Sequence, residues 1–126
     1  MIFGIGTDIV EVKRIASIYE RHGERFLNHY FMPEEAEIFR NERRRIDFLA
    51  MRFAAKEAIV KAMGTGFSGG MAFRDAGVRN NELGRPEVMW SERGRSICGQ
   101  RGIGEAHVTL SDQVGLAIAF VVLMRA

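Results

Sequence analysis

A single cysteine, Cys98, is all the thiol this chain carries, so no internal disulfide framework can form and a reducing compartment suits it. Long apolar runs are missing too. The nearest candidate, Leu116 to Met124, has the length of a strand and falls short of the roughly 18 residues a membrane helix needs. Met1-Ile2-Phe3-Gly4 shows no basic region leading into an extended apolar core, so no secretory leader is expected. An excess of one charge is also lacking: 18 Lys and Arg against 16 Asp and Glu leave a formal net charge of +2, too little by itself to argue for a nucleic-acid binder. Internal repeats, low-complexity tracts and dividing linkers are absent. These absences point to one cytoplasmic domain spanning residues 1–126, with neither membrane nor nucleic acid among its partners. Hydrophobic content of 47% and charged content of 27% are ordinary for a globular chain long enough to bury a core.

What is present divides into a helical half and a β-rich half. Ile2, Phe3, Ile5 and Ile9 mark a first β-segment, with Gly4 and Gly6 permitting close backbone approach. Val12, Ile15, Ala16 and Tyr19 then fall at i, i+3, i+4 and i+7, an amphipathic helix that Gly23 ends. Pro33-Glu34-Glu35 reads as the first turn of a short helix, with acids at its positive end. A long central helix is predicted from about Arg44 to Met63, stopped by Gly64, and followed by the loop Gly64–Gly70 with four glycines in seven residues. Gly77–Arg79 and Glu87–Trp90 flank a hairpin turn. Ser91–Arg101 suits a helix weakened by Gly94 and Gly99. Ala106–Leu110 and Leu116–Leu123 complete the strands, the last apolar on both faces and therefore central. The class expected is α+β: N-terminal helices, one of them long and central, packed on a mainly antiparallel sheet.

The chemistry concentrates in two places. On the central helix, Lys56, Glu57 and Lys61 stand among Phe53, Ala54, Ala55, Ala58, Ala62 and Met63. Burying such charges costs several kcal/mol per ion (order of magnitude) unless each is partnered. They therefore lie on a solvated stripe or converge on a charged group from outside the chain. Glu57 and Lys61, at i and i+4, suit a solvated ion pair as well as a ligand role. Lys56 points about 100° away around the helix and need not share their partner. The second place is Asp8, read at the end of the first strand, either as a helix cap or as a ligand. Two isolated carboxylates plus lysines suit a magnesium ion and a polyphosphate, because magnesium is usually held by one or two carboxylates with phosphate oxygens and water. The glycine loop lacks the GxxxxGK[ST] pattern and reads first as a helix stop, with a phosphate cradle as the alternative.

Arg14, Arg21 and Arg25, spaced seven and four apart, form one face if the helix continues past Gly23. Such a strip is a solvated face or a receiver for an acidic protein. Arg43-Arg44-Arg45 reads first as helix-start surface, with a phosphate site as the alternative, and His107 beside Thr109 first as a hydrogen-bonded strand histidine, with a ligand role as the alternative.

Two blocks resemble the holo-acyl-carrier-protein synthase family, the small bacterial 4′-phosphopantetheinyl transferases: Gly4-Ile5-Gly6-Thr7-Asp8-Ile9-Val10 with Arg14-Ile15, and Arg52-Phe53-Ala54-Ala55-Lys56-Glu57-Ala58 with Lys61-Ala62 and Gly64-Thr65-Gly66. Their separation, the chain length and the strand His107-Val108-Thr109-Leu110-Ser111-Asp112 extend the likeness over the whole chain. Asp112 departs from the histidine many members carry there. The resemblance implies transfer of phosphopantetheine from coenzyme A to a serine of apo-acyl carrier protein, in support of fatty acid biosynthesis, with release of adenosine 3′,5′-bisphosphate. By the same resemblance Asp8 and Glu57 bind magnesium, and Lys61 meets the diphosphate. Arg52, Lys61, Gly64, His107 and Thr109 line the coenzyme A pocket, and Arg14, Arg21 and Arg25 receive the acidic carrier protein. Glu57 or a water on the metal takes the serine proton, and a homotrimer places active sites between subunits. Two other classes compete. One is a carrier-protein or nucleotide-binding module without catalysis. The other is a basic nucleic-acid module, which lacks interleaved aromatics on a strand.

Overall fold

The computed structural model describes all 126 residues. The order is β1 (Ile2–Glu11), α1 (Val12–His22), α2 (Glu24–Tyr30), α3 (Pro33–Asn41), α4 (Ile46–Met63), β2 (Ala76–Asn80), β3 (Pro86–Trp90), α5 (Glu92–Arg101), β4 (Ile103–Gln113) and β5 (Leu116–Arg125). The class is α+β as expected, and every strand pair is antiparallel. The strands form two sheets: β1-β5-β4, with the apolar β5 in the middle, and the separate hairpin β2-β3.

α4 lies on the inner face of the three-stranded sheet, where β5 presents the fully buried Ala117, Ala119, Val121 and Leu123. Thirteen of the 18 residues of α4 are buried, which is why its sequence shows no one-sided apolar stripe. The two glycines of β1 set the distance between strand and helix. A Cβ on Gly6 would sit 2.0 Å from the Ala58 carbonyl oxygen, and one on Gly4 1.9 Å from that of Ala62. Gly6→Ala is therefore expected to push β1 off α4 and lower stability by about 1–3 kcal/mol, the usual cost of overpacking; urea unfolding at fixed protein concentration checks it.

Several expectations need correction. Asp8 is not at the strand end: β1 continues to Glu11, because Ile9, Val10 and Glu11 keep their pairing with Ile118, Ala117 and Leu116. Asp8 is no helix cap either, since Glu11 occupies that position without a side-chain bond. The helix does not continue past Gly23, whose backbone (φ 52°, ψ −124°) starts a new helix, α2. Arg14 and Arg21 thus belong to α1 and Arg25 to α2. The central helix starts at Ile46, two residues late, because Arg43 sits at φ 49° and Arg45 is extended. α5 forms despite Gly94: the Ser91 hydroxyl caps it by accepting from the Gly94 N–H, and a Cβ at Gly94 would meet the Asp75 carbonyl at 2.3 Å.

The Lys56 partner lies inside the chain, contrary to either expectation for these charges. Its ammonium donates to Glu35 Oε1 at 2.5 Å and to the carbonyls of Ala76 and Phe73 at 2.6 and 3.1 Å. The Glu35 carboxylate also accepts from the N–H of Met32 and of Val78, both at 3.0 Å. Both side chains have 0% exposure. Burial pushes the Lys56 ammonium down from its ordinary range, and the Glu35 charge opposes that. The pair ties α3, α4 and β2 together beneath the site.

Candidate active site

Asp8, Glu57 and Lys61 meet where β1 crosses α4. Asp8 points to the inner face, paired with Ala119, and Gly6 two residues earlier keeps the strand against the helix. Lys61 Nζ donates to Asp8 Oδ1 and to the Thr7 carbonyl, each at 3.0 Å. Lys61 is therefore bonded across to the strand and not to Glu57 in its own helix, so the i, i+4 ion pair is not what forms. Glu57 is half-buried and makes no hydrogen bond or ion pair. Desolvation raises its carboxyl above the usual range, the nearby Asp8 charge raises it further, and Lys61 and Arg14 pull the other way. Two like charges are thus held together with one lysine between strand and helix. No group of three or more His, Cys, Asp or Glu gathers in the chain. A pair of carboxylates, one without any partner, fits magnesium, which takes few protein ligands and leaves positions for phosphate and water. It does not fit a structural zinc site, which takes four protein ligands, usually with sulfur or imidazole among them.

Arg52 lies on another face of α4. It is buried, its guanidinium stacks 4.0 Å from the Phe48 ring centroid, and Nη2 donates to Asn80 Oδ1 at 3.3 Å. Its Nε has no partner, and burial depresses the group to about 10. No carboxylate pairs with it. It opens into a cavity of about 380 Å³ that Arg43, Arg44 and Arg45 also line, so the arginine run is more than helix-start surface. Glu42 and Asp47 line it as well and pair with Arg44 and Arg45, at 2.5 and 3.6 Å; Arg52, which has no acidic partner, is the cation there that suits an anion.

His107 and Thr109 sit on the opposite side of the sheet from Asp8. They pair with Val122 and Phe120 on the outer face, and both are exposed. His107 Nε2 is 3.4 Å from Glu105 Oε2. Within one chain they do not join the acid pair. Asp112 pairs with Ala117 near the β4–β5 turn. Gly64 takes the left-handed conformation at the end of α4, φ 82°. Arg14 is close enough for Glu57 to feel its charge. Arg25 lines an open cavity of about 640 Å³ whose apolar part is Ile18, Phe26 and Tyr30.

Reading the sequence missed Glu35, Asn80 and the shared cavity of Arg44 and Arg45 with Arg52. A signal for Glu35 existed: it precedes Ala36 and stands four residues before Phe39, on the buried stripe of α3.

Residues 4–119 match the model of the 4′-phosphopantetheinyl transferase superfamily. The chain is 45% identical over 124 residues to the holo-[acyl-carrier-protein] synthase of Halorhodospira halophila, covering 98% of each. Its fold is similar to that of the holo-[acyl-carrier-protein] synthase of Neisseria meningitidis (TM-score 0.93, 38% identity, 99% of this chain and 100% of that one). It is also similar to the Helicobacter pylori holo-[acyl-carrier-protein] synthase in complex with coenzyme A (TM-score 0.83, 28% identity, 94% and 98%).

Proposed function

The chain belongs to the 4′-phosphopantetheinyl transferase superfamily, and from that premise we propose that its 126 residues act as one holo-[acyl-carrier-protein] synthase domain. It transfers the 4′-phosphopantetheine arm of coenzyme A to a serine of apo-acyl carrier protein, in support of fatty acid biosynthesis. The meeting of Asp8, Glu57 and Lys61 between β1 and α4 carries this reading. The serine oxygen bonds to the phosphorus that bears the pantetheine arm. The diphosphate P–O bond breaks, adenosine 3′,5′-bisphosphate leaves, and the serine proton goes to a base. Asp8 and Glu57 would hold magnesium, which neutralises the diphosphate oxygens when bound. Lys61 brings a cation to the same diphosphate, anchored by Asp8 and the Thr7 carbonyl. Glu57, beside the cation and the diphosphate, is our candidate for the base that takes the serine proton, with a water at the metal as the alternative. Intact mass of an apo-carrier protein incubated with coenzyme A, magnesium and this chain tests the reading. A gain of one phosphopantetheine unit is expected; an unchanged mass refutes it.

The remaining coenzyme contacts divide between faces. Arg52, with Arg44 and Arg45 at its cavity, takes a phosphate of coenzyme A, and Gly64 leaves backbone open beside the diphosphate. His107 and Thr109 are turned to the outer sheet face, away from Asp8, so they serve a site that a neighbouring copy completes. That face suits contact with another copy, which by the family resemblance is a homotrimer: Ile5 and Ile9 are 59% and 60% exposed and Phe120 42%, and Val122 and Ile118 pair with Ile5 and Ile9 across the strands. Such a contiguous apolar strip is unusual on a monomer. No helix of the chain is long and apolar enough to cross a membrane, and we place the enzyme in the cytoplasm.

Arg14, Arg21 and Arg25 offer the acidic carrier protein a bent basic surface, with the apolar floor of Ile18 and Phe26 beside Arg25. Because Arg14 also acts on Glu57, Arg21 is the cleaner probe. Arg21→Glu is expected to weaken carrier-protein binding roughly tenfold and leave coenzyme A binding intact. Separate titrations of the two ligands check this, and equal losses would argue against docking here.

A further inference from the structure

The glycine loop Gly64–Gly70 begins three residues past Lys61, about 4.5 Å of helix rise, and its far end is tied to α5. The Arg93 guanidinium donates to the Gly70 carbonyl at 2.5 Å and to the Asp75 carboxylate. Arg101, about two turns along the same helix, donates to the Gly69 carbonyl at 3.3 Å. The Arg93 anchor is itself fixed. Asp75 is buried, and its carboxylate accepts from the Ser91 hydroxyl at 2.8 Å and the Ala72 N–H at 2.9 Å. Midway along the loop, the Phe67 ring stacks on Phe73 with centroids 4.0 Å apart, and Phe73 stacks on Phe53 of α4 at 5.3 Å.

Gly64, Gly66 and Gly70 all adopt positive φ. A segment so rich in glycine loses more freedom on ordering than any other kind. It is ordered by a short 3-10 helix over Gly66–Gly69, with the Ser68 and Thr65 hydroxyls donating to the carbonyls of Thr65 and Gly66 at 2.8 Å each, by one aromatic stack, and by guanidinium groups spent on backbone carbonyls. Charge-assisted bonds of this kind are stronger than neutral ones.

We propose that Arg93 and Arg101 are positioning residues for the transfer reaction, holding the Gly69 and Gly70 carbonyls so that the glycine loop stays closed at the end of α4, where its backbone meets coenzyme A. The proposal rests on the transferase reading above. Neither arginine touches the reacting atoms. Without them the loop regains freedom that coenzyme binding must remove again, which weakens that binding and spares the chemical step.

The test uses the full chain with Arg93→Met and Arg101→Met combined. The KM for coenzyme A is expected to rise roughly tenfold, with kcat and the carrier-protein KM changed less than about twofold. Amide exchange at Gly69–Met71 quickens in the free variant and slows again with saturating coenzyme A, while α4 keeps its protection. Arg101→Lys recovers most of the coenzyme affinity because one ammonium reaches one carbonyl. Arg93→Lys recovers less, because it does not serve Gly70 and Asp75 together. An unchanged coenzyme KM, or a kcat that falls in step with melting temperature, overturns the proposal. If the double variant folds poorly, Arg101→Met alone decides: a rise of about threefold in that KM supports the proposal, and none overturns it. Should the unaltered chain fail to modify a carrier protein, the transferase reading is what falls. The clamp is then judged on exchange alone, supported by faster exchange at Gly69–Met71 in the double variant and overturned by equal exchange.

Discussion

Glu57→Gln is expected to lower phosphopantetheine transfer by roughly a thousandfold, the scale seen when a group stabilising transition-state charge is removed, while the chain stays folded. Asp8→Asn should act similarly. The stability side of the prediction separates a functional acid from a structural one. Glu57 has no hydrogen-bond partner, and burial and Asp8 together hold its carboxyl above the ordinary range. Its ionised form is therefore a cost to the folded chain at neutral pH when no cation is present, and a neutral glutamine removes that cost. Without added metal the variant should melt at or above the temperature of the unaltered chain. Lost activity with retained stability is the mark of a residue kept for function at the expense of the fold. Ordinary turnover in Glu57→Gln would remove the acid from the mechanism.

Lys56→Met should have the largest effect on folding. Removing one partner of a buried ion pair leaves an uncompensated charge and typically costs about 3–5 kcal/mol, against a total stability of about 5–15 kcal/mol for a domain. Here the loss orphans Glu35 and frees the carbonyls of Phe73 and Ala76. The sign of the coupling is the informative part. Adding Glu35→Gln to Lys56→Met removes the stranded charge and lets the amide donate to a freed carbonyl, so the double variant should be more stable than Lys56→Met alone. Full recovery is not expected, since one amide does not serve every group the pair satisfied. Urea unfolding of the single and double variants at equal protein concentration checks this. A double variant less stable than Lys56→Met would mean that Glu35 matters for its bonds to Met32 and Val78 and not for its charge.

The contrast between Lys56 and its neighbours shows how far the sequence could be read. Glu57 and Lys61 stood out as candidates because the pattern is local: charges on an otherwise apolar helix, one turn apart, with Gly4 and Gly6 marking a strand that approaches something closely. The class and the central position of β5 were legible for the same reason, since period and apolar runs are properties of short windows. What the sequence did not disclose depends on contacts between distant residues. Glu35 lies 21 residues from Lys56, and only the packing of α3 on α4 brings the two together. Arg25 was drawn onto the face of Arg14 and Arg21 by counting residues, a count that Gly23 breaks through its own backbone angles. The opposed faces of Asp8 and of His107 and Thr109 follow from the register of β1 and β4 on β5, which alternation within each strand leaves undetermined.

One titration bears most directly on the centre of this account. Manganese is added to the protein with coenzyme A present, and free ion is read by its electron paramagnetic resonance. About one ion per chain should bind, and Asp8→Asn and Glu57→Gln should each weaken that binding by at least about tenfold while remaining folded. Undiminished binding in either variant would contradict the claim that β1 and α4 are brought together to share one divalent cation.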